Sequence, residues 1–372
     1  MEISLCMIVK NEESVLGNCL SSVCDLVDEI IIVDTGSTDA TREIASRYTD
    51  KIFLFEWVDD FSAARNYSFS RASKDYCMWL DADDIITEEN RTLFMDMKRT
   101  VGPEYDVVIM PYHYRTDANL KGKPAITLMR ERIVRRSAGF SWENQIHEYL
   151  DIKGKAYICK AAVTHTRKHN SSDRNYALIE RLAKKEGADL RIIYYYAGEL
   201  CCRGFTDEAI SQFEKFFGFG GGSSTYCYDA CFMLHKLYLD KKQYDKALKI
   251  SLEHIEACIG RSEFCCQIGF FYAKIMKDTS EAVYWFELAA KRPYPDALNS
   301  PVEEIYYYLI PYRELGRLYM VQERYEEALE CLNKALAFDG NNREVHGLIE
   351  KVYTVLFCEG KKNIVNSMLK KI

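Results

Sequence analysis

Residues 3–9 and 29–33 are largely apolar runs with β-branched side chains, the pattern of parallel strands covered on both faces. Between and after them the apolar spacing changes to that of helices, predicted over residues 18–26 and 41–48. The second helix follows the turn 35–39, whose Thr, Ser and Asp side chains suit a cap. A third strand is expected at 52–57, then a helix at 61–73 capped by Asp59, Asp60 or Ser62, then a fourth strand at 77–80. This alternation predicts a Rossmann-like α/β domain with a mostly parallel sheet. From Arg191 onward the pattern is of paired helices. An acidic or basic residue precedes an alanine at Ala209, Ala247, Ala282 and Ala328, at intervals of 38, 35 and 46 residues, which bracket the period of a helix-turn-helix repeat. The division is expected at the polar stretch 168–173, giving an α/β domain over 1–175 and an all-α repeat domain over 176–372.

Composition narrows the function classes. The 372 residues carry a net charge of −7 with no Lys/Arg block, which excludes general nucleic-acid or membrane-surface binding and leaves a specific ligand or protein as partner. No apolar run approaches the ~20 residues needed to span a bilayer, so no membrane insertion is expected, and residues 1–9 read as a first strand rather than an export signal. The 14 cysteines lack the spacing of a disulfide framework, which predicts buried thiols and a cytoplasmic protein. Cys227, Cys231 and His235 share a helical face, but an amphipathic pattern around them makes packing the preferred reading over zinc. The glycine run 218–222 has no preceding strand and no Lys-Ser/Thr ending, so it reads as a linker rather than a phosphate cradle.

The chemistry is expected at YCMWLDADD, residues 76–84, a buried-looking strand ending in three carboxylates. Open α/β sheets place ligands at such strand ends, and two acids one residue apart can hold a divalent cation against a diphosphate. MIVKNEE (7–13), IVDTGSTD (32–39) and FSAARN (61–66) precede it in order. Together the four motifs resemble the family 2 glycosyltransferases of the GT-A fold, over the first ~85 residues.

That resemblance implies a nucleotide-sugar donor, UDP by family frequency, and Mn²⁺ or Mg²⁺. Val9 and Asn11 would line the base pocket, with Lys10 and Glu12 as neighbours. Asp34 would hold the base or ribose, although Thr35 stands where the usual motif has a second acid. Arg65 and Asn66 would orient the donor and its diphosphate; Asp81, with Ala82 beside it, would reach the ribose, and Asp83 the metal. Further on, the segment with Trp142 and the pair His147-Glu148 resembles the one in which relatives keep their base. Glu148 is therefore the expected general base, with Glu143 in reserve and His147 orienting it or approaching the diphosphate. His165 stands where relatives complete the metal shell. One base and direct displacement imply inversion at the anomeric carbon.

Residues 315–339 resemble a tetratricopeptide repeat closely, and the earlier copies more loosely. A transferase domain followed by such repeats is similar to the bacterial peptide S- or O-glycosyltransferases that modify bacteriocin precursors. This implies a peptide or protein acceptor for a hexose or N-acetylhexosamine, and a homodimer through the repeats. The alternatives are a polysaccharide or lipid-linked glycan acceptor, or a non-catalytic repeat scaffold with a degenerate transferase domain.

Overall fold

The computed structural model describes residues 1–116, 124–166, 173–295 and 302–358. These form two compact units, the first running through Arg203 and the second from Gly204. The junction expected at 168–173 lies almost wholly outside the described residues.

The first unit opens as the apolar pattern predicts: β1 (Ile3–Val9), α1 (Leu16–Val23), β2 (Glu29–Asp34), α2 (Thr41–Ala45), β3 (Ile52–Leu54), α3 (Phe61–Ser70) and β4 (Tyr76–Trp79). Then come β5 (Asp84–Ile85), α4 (Glu88–Thr100), β6 (Val107–Thr116), β7 (Pro124–Arg135), β8 (Trp142–Glu143), β9 (Tyr149–Leu150), β10 (Ala156–Ile158) and β11 (Val163–His165). Helices α5 (Asp173–Ala183) and α6 (Leu190–Cys202) complete the unit. The sheet runs β3-β2-β1-β4-β7-β6-β11-β5, with β10 also on β6. Its pairings are mostly parallel, but β7 is antiparallel to both β4 and β6, and β5 to β11.

Alternation along the strands explains the largely apolar runs. Ile3, Leu5, Met7 and Ile32 enter a core layer shared with Leu16 and Leu20 of α1. Cys6, Ile31, Val33 and Trp79 face the other way, into a layer with Trp142 and, from α3, Tyr67 and Phe69. Both faces of the strands are thus apolar, as a covered parallel sheet requires. Edge strand β3 is shorter than expected because only Ile52, Phe53 and Leu54 pair with β2, and Leu54 is exposed. Helix α3 starts where Asp60 accepts from Ala63 N at 3.0 Å, which selects one of the three expected caps.

The second unit is helical: Thr206–Gly218, Cys227–Asp240, Tyr244–Glu253, Ser262–Phe271, Thr279–Ala290, Ile310–Val321, Tyr325–Phe338 and Arg343–Cys358 are its longer helices. The four alanines at 209, 247, 282 and 328 are all fully buried. The close packing they permit is plain at Gly316, where an added Cβ would lie 2.6 Å from Leu332 Cγ and 3.3 Å from the Ala328 carbonyl. The glycine run joins the helices Thr206–Gly218 and Cys227–Asp240. The buried His235 meets Ser251 Oγ through Nδ1 at 2.7 Å, and Cys231 Sγ points at the Ile250 carbonyl. No helix among the described residues is long and apolar enough to cross a membrane.

Candidate active site

Parallel strands β2, β1 and β4 end at one rim of the sheet, with Val9 in register opposite Asp34 and Cys6 opposite Trp79. The loops there are stitched to each other. Thr35 donates to the Val9 carbonyl from N at 3.0 Å and from Oγ1 at 3.2 Å, so the residue that replaces a second acid ties the two strand ends together. Asn11, at φ 54°, accepts from Thr38 N, while the Asn11 and Glu12 amides donate to Ser37 Oγ and Thr41 Oγ1. The side-chain acceptor of Asn11 is engaged in this stitching. Lys10, at the end of β1, is half-buried.

Asp34 is 1% exposed. Its Oδ1 accepts from the Gly36 and Ser37 amides at 3.0 and 2.9 Å, a turn made possible by Gly36 at φ 102°. Its Oδ2 is buried without a partner among the described residues. A buried unsatisfied carboxylate oxygen is costly, and a ligand hydroxyl or ring N–H that reached it would relieve that cost.

Beyond β4 the chain makes a tight turn in which Asp84 N donates to the Asp81 carbonyl and Asp81 N to Asp84 Oδ2. Asp84 is completely buried and acts as the peg of this turn. Arg132, itself buried, meets its Oδ2 at 3.0 Å, and Tyr112 donates to its Oδ1 at 2.9 Å. The Arg132 guanidinium lies over the rings of Trp79 and Tyr112, at 3.9 and 4.4 Å. Pairing of β5 with β11 then sets His165 opposite Asp84, and Thr166 fastens the Asp83 carbonyl through its amide and hydroxyl.

As a result Asp83 and His165, 82 residues apart in sequence, come together, with Nδ1 3.5 Å from Asp83 Oδ1 and from Asp84 Oδ1. The three side chains have ligand atoms within 4.8 Å of one another. Burial, with the charges of Asp81 and Asp84, raises the Asp83 carboxyl above its ordinary value against the pull of His165. His165 is raised too: burial alone would lower it, but its contact with Asp84 and the charge of Asp83 outweigh that. Such crowded negative charge is what a hard dication would neutralise: the carboxylates suit Mn²⁺ or Mg²⁺, and the imidazole favours the transition ion Mn²⁺ of the two. The residues fit a cation, with Asp83 a better carboxylate ligand than Asp84, which is already held by Arg132 and Tyr112; the same Tyr112 hydroxyl lies 3.1 Å from His165 Nδ1.

Arg65 depends on two other carboxylates. Its Nη2 meets Asp81 Oδ1 at 2.8 Å and its Nε meets Glu148 Oε1 at 2.6 Å. Its guanidinium sits 5.0 Å from the Trp79 ring and 4.8 Å from that of Trp142. Burial would lower the Arg65 pKa, yet the two carboxylates raise it overall. They are answered in kind: although burial opposes it, Arg65 and then Arg132 hold Asp81 below the usual carboxylate range. Asn66 makes a reciprocal pair with the Trp142 backbone, at 2.7 and 2.9 Å.

The expected roles of Arg65 and Asn66 in orienting a donor are set beside these contacts. Capping at Asp60 puts both residues in the second turn of α3, away from the helix start whose amides would face a diphosphate. Their hydrogen bonds join the carboxylate turn to the Trp142–Glu148 segment. Ala82 belongs to the buried core layer that also holds Leu80. Glu148 keeps Oε2 without a protein partner among the described residues. The reserve acid, Glu143, faces a separate hollow lined by Phe140, Asp151 and Lys153. His147 stacks on Tyr195. Arg167, Lys168 and His169, the bases next to His165, lie outside the described residues.

Sequence reasoning missed Arg132, Tyr112 and the peg role of Asp84. A charged residue immediately before the apolar Ile133-Val134 pair was the only local signal, and it becomes readable only once Trp79 and Asp84 are known to meet it.

Residues 4–163 match the family described as Glycosyl transferase family 2, and residues 311–342 match the tetratricopeptide repeat. A TPR repeat-containing protein of Synechococcus elongatus is 49% identical over 83 residues, 22% of this chain and 21% of that protein. The SPbeta prophage-derived glycosyltransferase SunS of Bacillus subtilis is 25% identical over 293 residues, 73% of this chain and 65% of that protein. The lipopolysaccharide core biosynthesis glycosyltransferase LpsC of Rhizobium meliloti is 27% identical over 166 residues, 41% of this chain and 58% of that protein. This chain therefore spans less than two thirds of the length of each of these relatives. Among solved structures, MamA covers 49% of this chain and 88% of its own at TM-score 0.38 and 16% identity. Residues 4–163 thus form a glycosyl transferase family 2 domain, in a chain that also carries a tetratricopeptide repeat at 311–342.

Proposed function

We propose that the chain is an inverting glycosyltransferase that moves a hexose or N-acetylhexosamine from a UDP-sugar to a peptide or protein side chain. The observation that carries this reading is the bridge Asp81–Arg65–Glu148 beside the Asp83–His165 pair, which brings the acids of two distant motifs to one rim. The family match and the likeness to SunS support the reaction class.

In this reading Asp34 takes the base or ribose through Oδ2, and Asp81 meets the ribose through the oxygen that Arg65 leaves free. Asp83 and His165 would hold Mn²⁺ or Mg²⁺, which when bound neutralises charge on the departing diphosphate. Glu148 Oε2 takes the acceptor's proton as the acceptor oxygen or sulfur bonds to the anomeric carbon. The bond from that carbon to the diphosphate breaks with its electron pair leaving on UDP. Arg65 keeps Glu148 from swinging away from Asp81, so base and donor stay in one geometry. The tetratricopeptide repeat supports a peptide or protein acceptor, since stacked helices offer an extended surface. The likeness to LpsC supports a second reading, in which the acceptor is a saccharide.

The test is incubation with a panel of UDP-sugars and MnCl₂, measuring released UDP and the masses of candidate peptides and oligosaccharides. Metal-dependent UDP release that disappears in Asp83→Ala supports the reading. Equal release in chelator, or an α-linked product from an α-linked donor by NMR, defeats the metal or the inverting part of it.

A further inference from the structure

The turn that carries Glu148 is strained and is gripped from two sides. Asn144 and His147 have left-handed backbones, with φ of 72° and 52°. Side chains resist that region, so the shape persists only where its surroundings impose it. On one side α3 supplies the grip, through Phe61 N donating to the Gln145 carbonyl at 2.9 Å and the Asn66 pair with Trp142.

Helix α6 supplies the other side. Arg191 donates to the His147 carbonyl from both Nε and Nη2, at 2.9 and 2.7 Å. The Tyr195 ring, one helical turn on, lies flat against the His147 imidazole, with centroids 3.8 Å apart and planes 7° from parallel. The Arg191 guanidinium also covers the Tyr149 ring at 4.7 Å. The residues on both sides of Glu148 are therefore held by one helix that contributes nothing to the sheet.

Resting on the transferase reading above, we infer that Arg191 and Tyr195 are positioning residues for Glu148. They fix the direction of its carboxylate by clamping His147 and Tyr149, and a fork of two donors on one carbonyl leaves little rotational freedom. Glu148 meets Arg65 through Oε1 only, so its remaining oxygen is aimed by the backbone that α6 holds.

The experiment uses the full chain and three variants: Arg191→Lys, Arg191→Met and Tyr195→Leu. Hydrogen exchange of peptides covering residues 143–150 should quicken by about tenfold or more in Arg191→Met and Tyr195→Leu, with β1, β2 and β4 unchanged. Unchanged exchange in the turn overturns the clamp, whatever the chain catalyses. With MnCl₂ and the UDP-sugar that the parent cleaves, Arg191→Met should lose about 100-fold in kcat, the cost of displacing a catalytic group by about 1 Å. KM for the donor should stay within about twofold, with Arg191→Lys recovering part of the rate. A loosened turn with parent-like kcat overturns the positioning role. If the parent cleaves none of the UDP-sugars the transferase reading fails, and the exchange result still decides the clamp. Should Arg191→Met not fold, the charge-preserving Arg191→Lys and the Tyr195→Leu variant carry both measurements.

Discussion

Replacing Arg65 by Met should unfasten the site and destabilise the first unit. The substitution keeps much of the side-chain length but removes the charge between Asp81 and Glu148. Arg65 and Glu148 side chains are 8% and 12% exposed, whereas Asp81 is 42% exposed. Removing one partner of a buried ion pair costs about 3–5 kcal/mol, and the exposure of Asp81 argues for the lower end at that carboxylate. Loss of the cation–π contacts with Trp79 and Trp142 adds roughly 1 kcal/mol, giving about 4 kcal/mol in all. For a unit of this size that is a fall in melting temperature of about 8–16 °C. Arg65→Lys keeps the charge but cannot form the same fork, and should cost about half as much. The assay is thermal unfolding followed by fluorescence of Trp79 and Trp142, whose rings meet edge to face at 5.1 Å. In a double-mutant cycle with Glu148→Gln, a coupling of roughly 1.5–3 kcal/mol is expected for a charge-assisted hydrogen bond. A melting temperature within about 2 °C of the parent, or no coupling, would refute the strut.

Acid should weaken the two units in different windows. Glu29 in the first unit, although burial pushes the other way, is drawn from its ordinary 4.5 to about 2 by hydrogen bonds from Lys51, Ser4 and Ser73. The folded chain prefers its charged form, so roughly 3 kcal/mol is present above pH 4.5 and is lost as pH falls toward 2. Glu29→Gln should remove that acid sensitivity along with the stability. In the second unit, burial lowers His235 from 6.5 to about 4. Here the neutral form is favoured, and a contribution of similar size is full above pH 6.5 and lost as pH falls through 4. Melts followed at Trp285, in the second unit, should show the earlier loss; a flat response between pH 7 and 4 would contradict it. Gly316→Ala should cost about 1–3 kcal/mol by overpacking against Leu332, read from the same melts. Parent-like stability would show that the helices part without strain.

Much of the first unit was legible because its strands are apolar on both faces. Ile31 and Ile32 enter opposite core layers, so no polar position interrupts the run. The pair of β6 and β7 was not, because Pro111, which lacks a backbone donor, and the polar His113 and Arg130-Glu131-Arg132 do not read as strand. Arg132 survives in the interior only by meeting Asp84 and two aromatic rings, partners that no local window contains. The acids of the site stood out at the ends of apolar runs. Their roles were harder to read, since whether Arg65 faces a diphosphate or a carboxylate depends on which residue caps α3. The meeting of Asp83 with His165 rests on two- and three-residue strands that carry no periodicity of their own. In the second unit the buried alanines announced the repeat, because only a small side chain lets two helices approach there.

A divalent cation at Asp83 and His165, needed for cleavage of a nucleotide sugar, is the claim on which the rest depends. It is tested most directly by isothermal titration of MnCl₂ with UDP into the parent chain and into Asp83→Asn, alongside UDP release from the sugar panel. Mn²⁺ binding by the parent that is lost in the variant, together with sugar-nucleotide cleavage, is the predicted result. Undiminished Mn²⁺ binding and cleavage in Asp83→Asn would contradict it.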